Sequence, residues 1–156
     1  PISSPFVPGP NKTLAKIEFM KIPIFNIIYR SGSILVDRRS EESRKASVKE
    51  MLDTLHMGIH LTLYPEGTRN TTSKPLQPFY DGAFRTAISS QKGIVPGILL
   101  GTKYILPNRP KFWAWPHIVR FEFLAPIPTE GLQVSDTKAL KDKVYHIMYD
   151  YILKHQ

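Results

Sequence analysis

Leu61-Thr62-Leu63-Tyr64-Pro65-Glu66-Gly67-Thr68-Arg69-Asn70 is the stretch on which the reading of this chain turns. An apolar run broken by Thr62 stops at Pro65, and a carboxylate, a glycine, a hydroxyl and a guanidinium follow in consecutive positions. Proline cannot donate to a ladder and ends the strand, while glycine permits backbone angles and close approaches that other residues forbid. The pattern is a strand delivering polar groups to its carboxyl end, where ligands sit in open α/β sheets. The plainer reading is a surface turn with a Glu66–Arg69 ion pair, which would contribute little.

Working outward on the N-terminal side, Ile34-Leu35-Val36 is a second short apolar strand, and it ends in Asp37-Arg38-Arg39. Between the two, Ser40 or Ser43 can cap a helix whose apolar face is Val48, Met51, Leu52 and Leu55, and Gly58 stops it. A strand, helix, strand unit from Ile34 to Leu63 follows, with parallel strands whose ends open on one sheet edge. Two guanidiniums, Arg38 and Arg69, converging there suit a phosphate monoester, because each presents a planar, permanently charged fork of donors. Arg38, Arg39 and Arg44 as a solvated basic face is the alternative.

Farther out, four prolines and a glycine in the first ten residues predict an extended segment or loop with no helix. Leu14 to Tyr29 reads as two short helical or irregular pieces divided by Pro23. After Asn70 comes a polar loop through Pro78. A helix entered at Phe79 to Phe84 and ending near Gln91 follows, then a buried strand at Ile94 to Leu100 whose Pro96 marks an edge or bulge. Pro107 to Pro116 is a loop, His117 to Leu124 a strand, and Thr137 to Lys154 a helix capped by Ser135 or Asp136. That helix carries Leu140, Val144, Ile147, Met148 and Tyr151 as its apolar stripe.

The chain has 156 residues, 42% of them apolar, enough for one domain with a core. Its formal charge of +8 favours an anionic partner: a phosphorylated metabolite, an anionic lipid surface or a nucleic acid. With no cysteine there is no disulfide framework, thiolate zinc site or cysteine nucleophile. No apolar stretch approaches the roughly 20 residues that cross a bilayer. The first residue is Pro1, not Met, and Pro1 to Pro10 lacks the basic start and apolar core of a signal peptide, so the chain is expected to be cut at its N-terminus.

Several patterns carry no chemistry. Gly97 to Lys103 is one residue short of a phosphate-cradling loop and has Thr102 and Lys103 in the wrong order. His56 and His60 flank Gly58 at a helix end without the glutamate of a zinc protease. No Gly-x-Ser-x-Gly elbow exists. The sequons at Asn11 and Asn70 matter only in a secreted protein. Lys111-Phe112-Trp113-Ala114-Trp115 suits a membrane interface or base stacking, or simply packs its loop onto the core.

Taken together, these residues resemble the lysophospholipid acyltransferase family, whose best known members are 1-acyl-glycerol-3-phosphate acyltransferases. Tyr64-Pro65-Glu66-Gly67-Thr68-Arg69 is similar to its phosphate-binding block, and Gly32-Ser33-Ile34-Leu35-Val36-Asp37-Arg38 to the block before it. Leu14-Ala15-Lys16-Ile17-Glu18 with Pro23, Phe79-x-x-Gly82-Ala83-Phe84 and Ile94-Val95-Pro96 are similar to three more, so five blocks stand in family order between Leu14 and Leu100. The resemblance implies an α/β fold, a mixed, largely parallel sheet flanked by helices, in a single acyltransferase domain over residues 1–156. It implies transfer of a fatty acyl group from acyl-CoA or acyl-ACP to the hydroxyl of a lysophosphatidate, in phosphatidic acid and phospholipid biosynthesis. No cofactor or metal is implied beyond the thioester co-substrate. The implied setting is the cytoplasmic face of a membrane, with no nucleic acid as partner.

On matching positions the resemblance assigns the acceptor phosphate to Arg38 and Arg69 with Lys16 as a further cation. Gly67 gives close backbone approach, Thr68 a hydroxyl donor, Glu66 a hold on an acceptor hydroxyl or on Arg69, and Pro96 a pocket wall. The family's catalytic pair is a histidine followed five positions later by an aspartate. None of the five histidines here has one; His117 has Glu122 instead. The pair is expected upstream of Pro1, so these residues hold no catalytic group and are expected to be inactive alone. The alternatives are a noncatalytic module for anionic phospholipid and, behind it, a basic nucleic-acid-binding domain.

Overall fold

The computed structural model describes residues 4–17, 32–37, 39–105 and 116–155. Among them, strands β1 (Asn11–Lys16), β2 (Ser33–Val36) and β3 (His60–Thr62) form a three-stranded sheet in the order β2-β1-β3, with both pairings parallel. Helix α1 (Glu41–His56) connects β2 to β3 and packs on both. The expected unit is present with one change: β2 and β3 are not neighbours, because β1 lies between them. Leu14 to Lys16, read as helical or irregular, are the end of this central strand. Their β potential was masked by the charges around them, and residues 18–29 of that reading lie outside the described residues. Among the described residues of the opening, Ser4–Phe6 form a 3-10 turn; proline excludes the interior of a helix but fits its first turn.

Helix α1 begins where Ser40 Oγ accepts the Ser43 N–H at 3.1 Å, with Glu41 and Glu42 favourably placed in the first turn. It ends at Met57, and Gly58 turns the chain away at φ +77°. Its buried side is Ser47, Met51 and Thr54, while Val48 is 42% exposed. The expected face was rotated by about one residue. Small hydroxyl side chains, which periodicity counts as polar, take two of its three buried positions.

The larger core gathers around α2 (Gly82–Ser90) and the C-terminal helix α4 (Thr137–His155), separated in sequence by β4 (Gly97–Leu100), the single turn α3 (Thr102–Ile105) and β5 (Arg120–Phe123). Phe84 and Ile88 of α2 meet Leu140, Val144, Met148 and Ile152 of α4, together with Leu76, Phe79, Ile98 and Ile127. The α4 stripe therefore runs through Ile152, whereas Ile147 is exposed and Tyr151 half-buried. A 3-10 turn, Val134–Asp136, precedes α4, with Asp136 accepting the Gln133 N–H at 2.8 Å. Strands β4 and β5 pair antiparallel as a separate ribbon, and Tyr151 of α4 donates its hydroxyl hydrogen to Glu122 of β5. Pro96 sits between the ribbon and the isolated Ile94–Ile127 bridge, its carbonyl accepting the Leu124 N–H at 2.9 Å. This is the ladder break that a proline imposes.

Candidate functional site

In the parallel sheet all three strands point their carboxyl ends to one edge. Lys16 closes β1 directly opposite Val36, the last residue of β2. On the other side Thr13 pairs with Thr62, the last residue of β3. Leu63, Tyr64 and Pro65 then carry the chain forward by the same three residues that separate Thr13 from Lys16. The turn at Pro65-Glu66-Gly67 thus leaves the edge at which β1 and β2 end. Arg38, two residues beyond Val36, lies outside the described residues, and Lys16 is placed here by its backbone alone.

The loop itself is built around main-chain donors. The Gly67 N–H closes a tight turn on the Tyr64 carbonyl at 2.9 Å, and Gly67 has φ +65°, which glycine adopts without strain. The Tyr80 N–H reaches back to the Pro65 carbonyl at 2.9 Å. Glu66 is half-buried, and its Oε2 accepts the Gln77 N–H at 2.8 Å. Burial pushes the Glu66 carboxyl up from its ordinary value, and the Gln77 bond pulls partly against that rise. Thr68 and Arg69 stand exposed beyond this anchored pair.

Asn70 organises the return. Its Oδ1 accepts the Thr72 N–H at 2.9 Å and the Thr72 hydroxyl at 2.7 Å, and its amide donates to the Lys74 carbonyl at 2.9 Å. The Gln77 amide adds long contacts to the Arg69 carbonyl (3.5 Å) and to Asn70 Oδ1 (3.4 Å). Gln77 is thus the residue that reading the sequence missed. It acts chiefly through a main-chain N–H, which every residue but proline carries, so no side-chain pattern marks it.

The structure brings Glu66, Gly67, Thr68 and Arg69 into one loop at the edge reached by Lys16. Pro96, also assigned to the site, is buried between Ile94 and the β4–β5 ribbon. His117 packs its ring on Tyr104 at 4.7 Å, and Glu122 is engaged by Tyr151, so their spacing does not make an acid–base pair. Among the described residues no group of three or more His, Asp or Glu side chains could hold a metal ion, and no helix is long and apolar enough to cross a membrane. The Lys111 to Trp115 loop lies outside the described residues.

Comparison with known proteins bears on the same segment. The family model described as Acyltransferase matches residues 2–100. Human 1-acyl-sn-glycerol-3-phosphate acyltransferase alpha is 34% identical over 120 residues, covering 76% of this chain and 41% of the relative. The human beta form is 29% identical over 137 residues, covering 86% of this chain and 49% of the relative. The chain therefore spans less than half the length of these curated relatives. The fold is that of the crystal structure of the 1-acyl-sn-glycerophosphate (LPA) acyltransferase PlsC from Thermotoga maritima. That match has a TM-score of 0.74 at 21% identity, over 92% of this chain and 56% of the other.

Proposed function

The chain belongs to the acyltransferase family, and from that premise we propose that it forms the acceptor-binding part of a 1-acylglycerol-3-phosphate O-acyltransferase. The supporting observation is the Glu66-to-Arg69 loop, pinned by main-chain bonds at the carboxyl edge that Lys16 and β2 also reach. Arg69, Arg38 and Lys16 hold the acceptor phosphate, the arginines by paired charge-assisted bonds. Gly67 lets the backbone approach the ligand, Thr68 donates a hydroxyl hydrogen bond, and Pro96 shapes the wall. Glu66 keeps one oxygen on Gln77 and turns the other toward the loop or the acceptor glycerol. Residues 1–156 act as one domain, working at the cytoplasmic face of a membrane on a lysophosphatidate, with acyl-CoA or acyl-ACP as donor.

In this reaction a base removes the proton of the acceptor hydroxyl as its oxygen attacks the thioester carbonyl. The tetrahedral intermediate then expels the thiolate, which takes up a proton. These residues position the acceptor for that attack, converting a collision into an oriented encounter. On the transferase reading the base lies outside these 156 residues, where no histidine is followed five positions later by an aspartate. That same observation favours the second reading, a noncatalytic module binding anionic phospholipid. A thioester-release assay on the complete gene product, with acyl-CoA or acyl-ACP and 1-acylglycerol-3-phosphate, separates the two. Acceptor-dependent thiol release supports the transferase; lysophosphatidate binding without thiol release supports the module.

A further inference from the structure

Helix α4 lies wholly beyond the residues matched by the family model, yet it grips the segment that anchors the loop. Lys141 Nζ donates to Asp81 Oδ1 at 2.7 Å, with the lysine side chain 24% and the aspartate 49% exposed. One helical turn on, the Tyr145 ring packs edge-on against Phe79 at 5.0 Å, and its hydroxyl approaches the Leu76 carbonyl at 3.5 Å. The segment held between these contacts, residues 76–81, carries the Gln77 N–H bonded to Glu66 and the Tyr80 N–H bonded to the Pro65 carbonyl. Asp81 directly follows Tyr80 and stands at the start of α2 without capping it by its side chain. Its carboxylate is thus committed to Lys141, whose hydrogen bond holds its pKa below the ordinary value.

We propose that Lys141 is a positioning residue for the acceptor site. Through Asp81 it fixes the strap of residues 76–81, and the two main-chain donors of that strap set the path of the Glu66-to-Arg69 loop. The proposal rests on the reading of that loop as the acceptor-phosphate site. Coupling of this kind passes through contiguous packed and hydrogen-bonded groups, and here Asp81 of the ion pair is the immediate chain neighbour of Tyr80, the nearer anchor.

The test uses the complete gene product assayed with 1-acylglycerol-3-phosphate and acyl-CoA. Lys141→Met and Asp81→Asn should each raise the acceptor KM by about two- to fivefold, the scale of a partly exposed ion pair, with the donor KM and kcat little changed. The double variant should be no worse than either single one, because the pair acts as a unit. Lys141→Arg, which keeps the charge, should restore most of the wild-type KM. Arg69→Ala, run alongside, separates the two layers. If Arg69→Ala raises the acceptor KM and Lys141→Met does not, Lys141 plays no positioning part and the proposal fails. An additive double variant, or no rescue by arginine, likewise overturns it. If Arg69→Ala also leaves the acceptor KM unchanged, the reading of the loop falls and the proposal with it.

Discussion

The Glu66 carboxylate accepts the main-chain N–H of Gln77 at 2.8 Å across eleven residues of chain, tying the outgoing limb of the loop to its return. A carboxylate raised by burial and steadied by one donor gives the loop a signature in pH. Because the folded-state pKa lies above the unfolded one, the folded chain binds more protons in the interval between them. Stability from this group is full below the unfolded value and falls as pH rises through the folded one. Glu66→Gln keeps an acceptor for Gln77 and removes the titration. Thermal melts of wild type and variant from about pH 4 to about pH 7 should show the variant gaining relative stability as pH rises. A difference that stays flat, or runs the other way, would contradict the burial of Glu66.

Gly97 lies beneath the ring of Phe121. A Cβ on Gly97 would fall 2.9 Å from Phe121 Cε2 and 3.1 Å from Cζ. The ring is itself packed against Phe6 at 6.1 Å and Phe123 at 4.6 Å. Gly97→Ala should therefore cost about 1–3 kcal/mol in denaturant unfolding, and a smaller residue at Phe121 should recover part of it. Recovery is expected to fail at Gly101, where φ is +90° and the Cβ would meet the Ile118 carbonyl oxygen at 2.4 Å, a main-chain atom that cannot swing aside. These packing needs account for both glycines of the stretch that resembles a phosphate loop.

The Thr54 hydroxyl is fully buried on α1 and finds no hydrogen-bond partner among the described residues. Burying an unpaired hydroxyl costs more than burying a methyl of the same size. Thr54→Val is therefore expected to leave stability unchanged or to raise it by up to about 1 kcal/mol in equilibrium unfolding. A loss of that size would show that the hydroxyl is bonded in solution.

Phe84 is 2% exposed and stacks on Phe79 at 6.1 Å, in the core that carries both α2 and the strap. Phe84→Ala should cost about 3–5 kcal/mol, the largest of these losses. Proteolysis of the loop at residues 70–75 should accelerate in step with the lost stability. Unchanged resistance would place the loop outside this core.

What was legible in the sequence follows from where the physics is local. Ser40 and Gly58 bracket α1 because caps and left-handed turns depend on one or two residues, whereas the strand expected to stop at Pro65 ends already at Thr62. The parallel edge was foreseen, but the insertion of β1 was not: whether a third strand enters between two others depends on pairing across sequence, and Lys12 and Lys16 obscured its apolar content. The rotation of α1 onto Ser47 and Thr54 depends on how closely the helix approaches the elements packed on it. Glu66 to Arg69 are consecutive and could be read together from the sequence, whereas the Gln77 bond to Glu66 uses a backbone N–H and the Lys141 bond to Asp81 spans sixty residues, which no local pattern encodes.

The central claim is that the Glu66-to-Arg69 loop holds the acceptor phosphate, and the kinetics of Arg69→Ala in the complete gene product test it most directly. The acceptor KM for 1-acylglycerol-3-phosphate should rise by at least about tenfold, or turnover should be lost, from removal of a charge-assisted phosphate contact, while the thermal melt stays close to that of wild type. Unchanged acceptor kinetics in a folded variant would contradict the account.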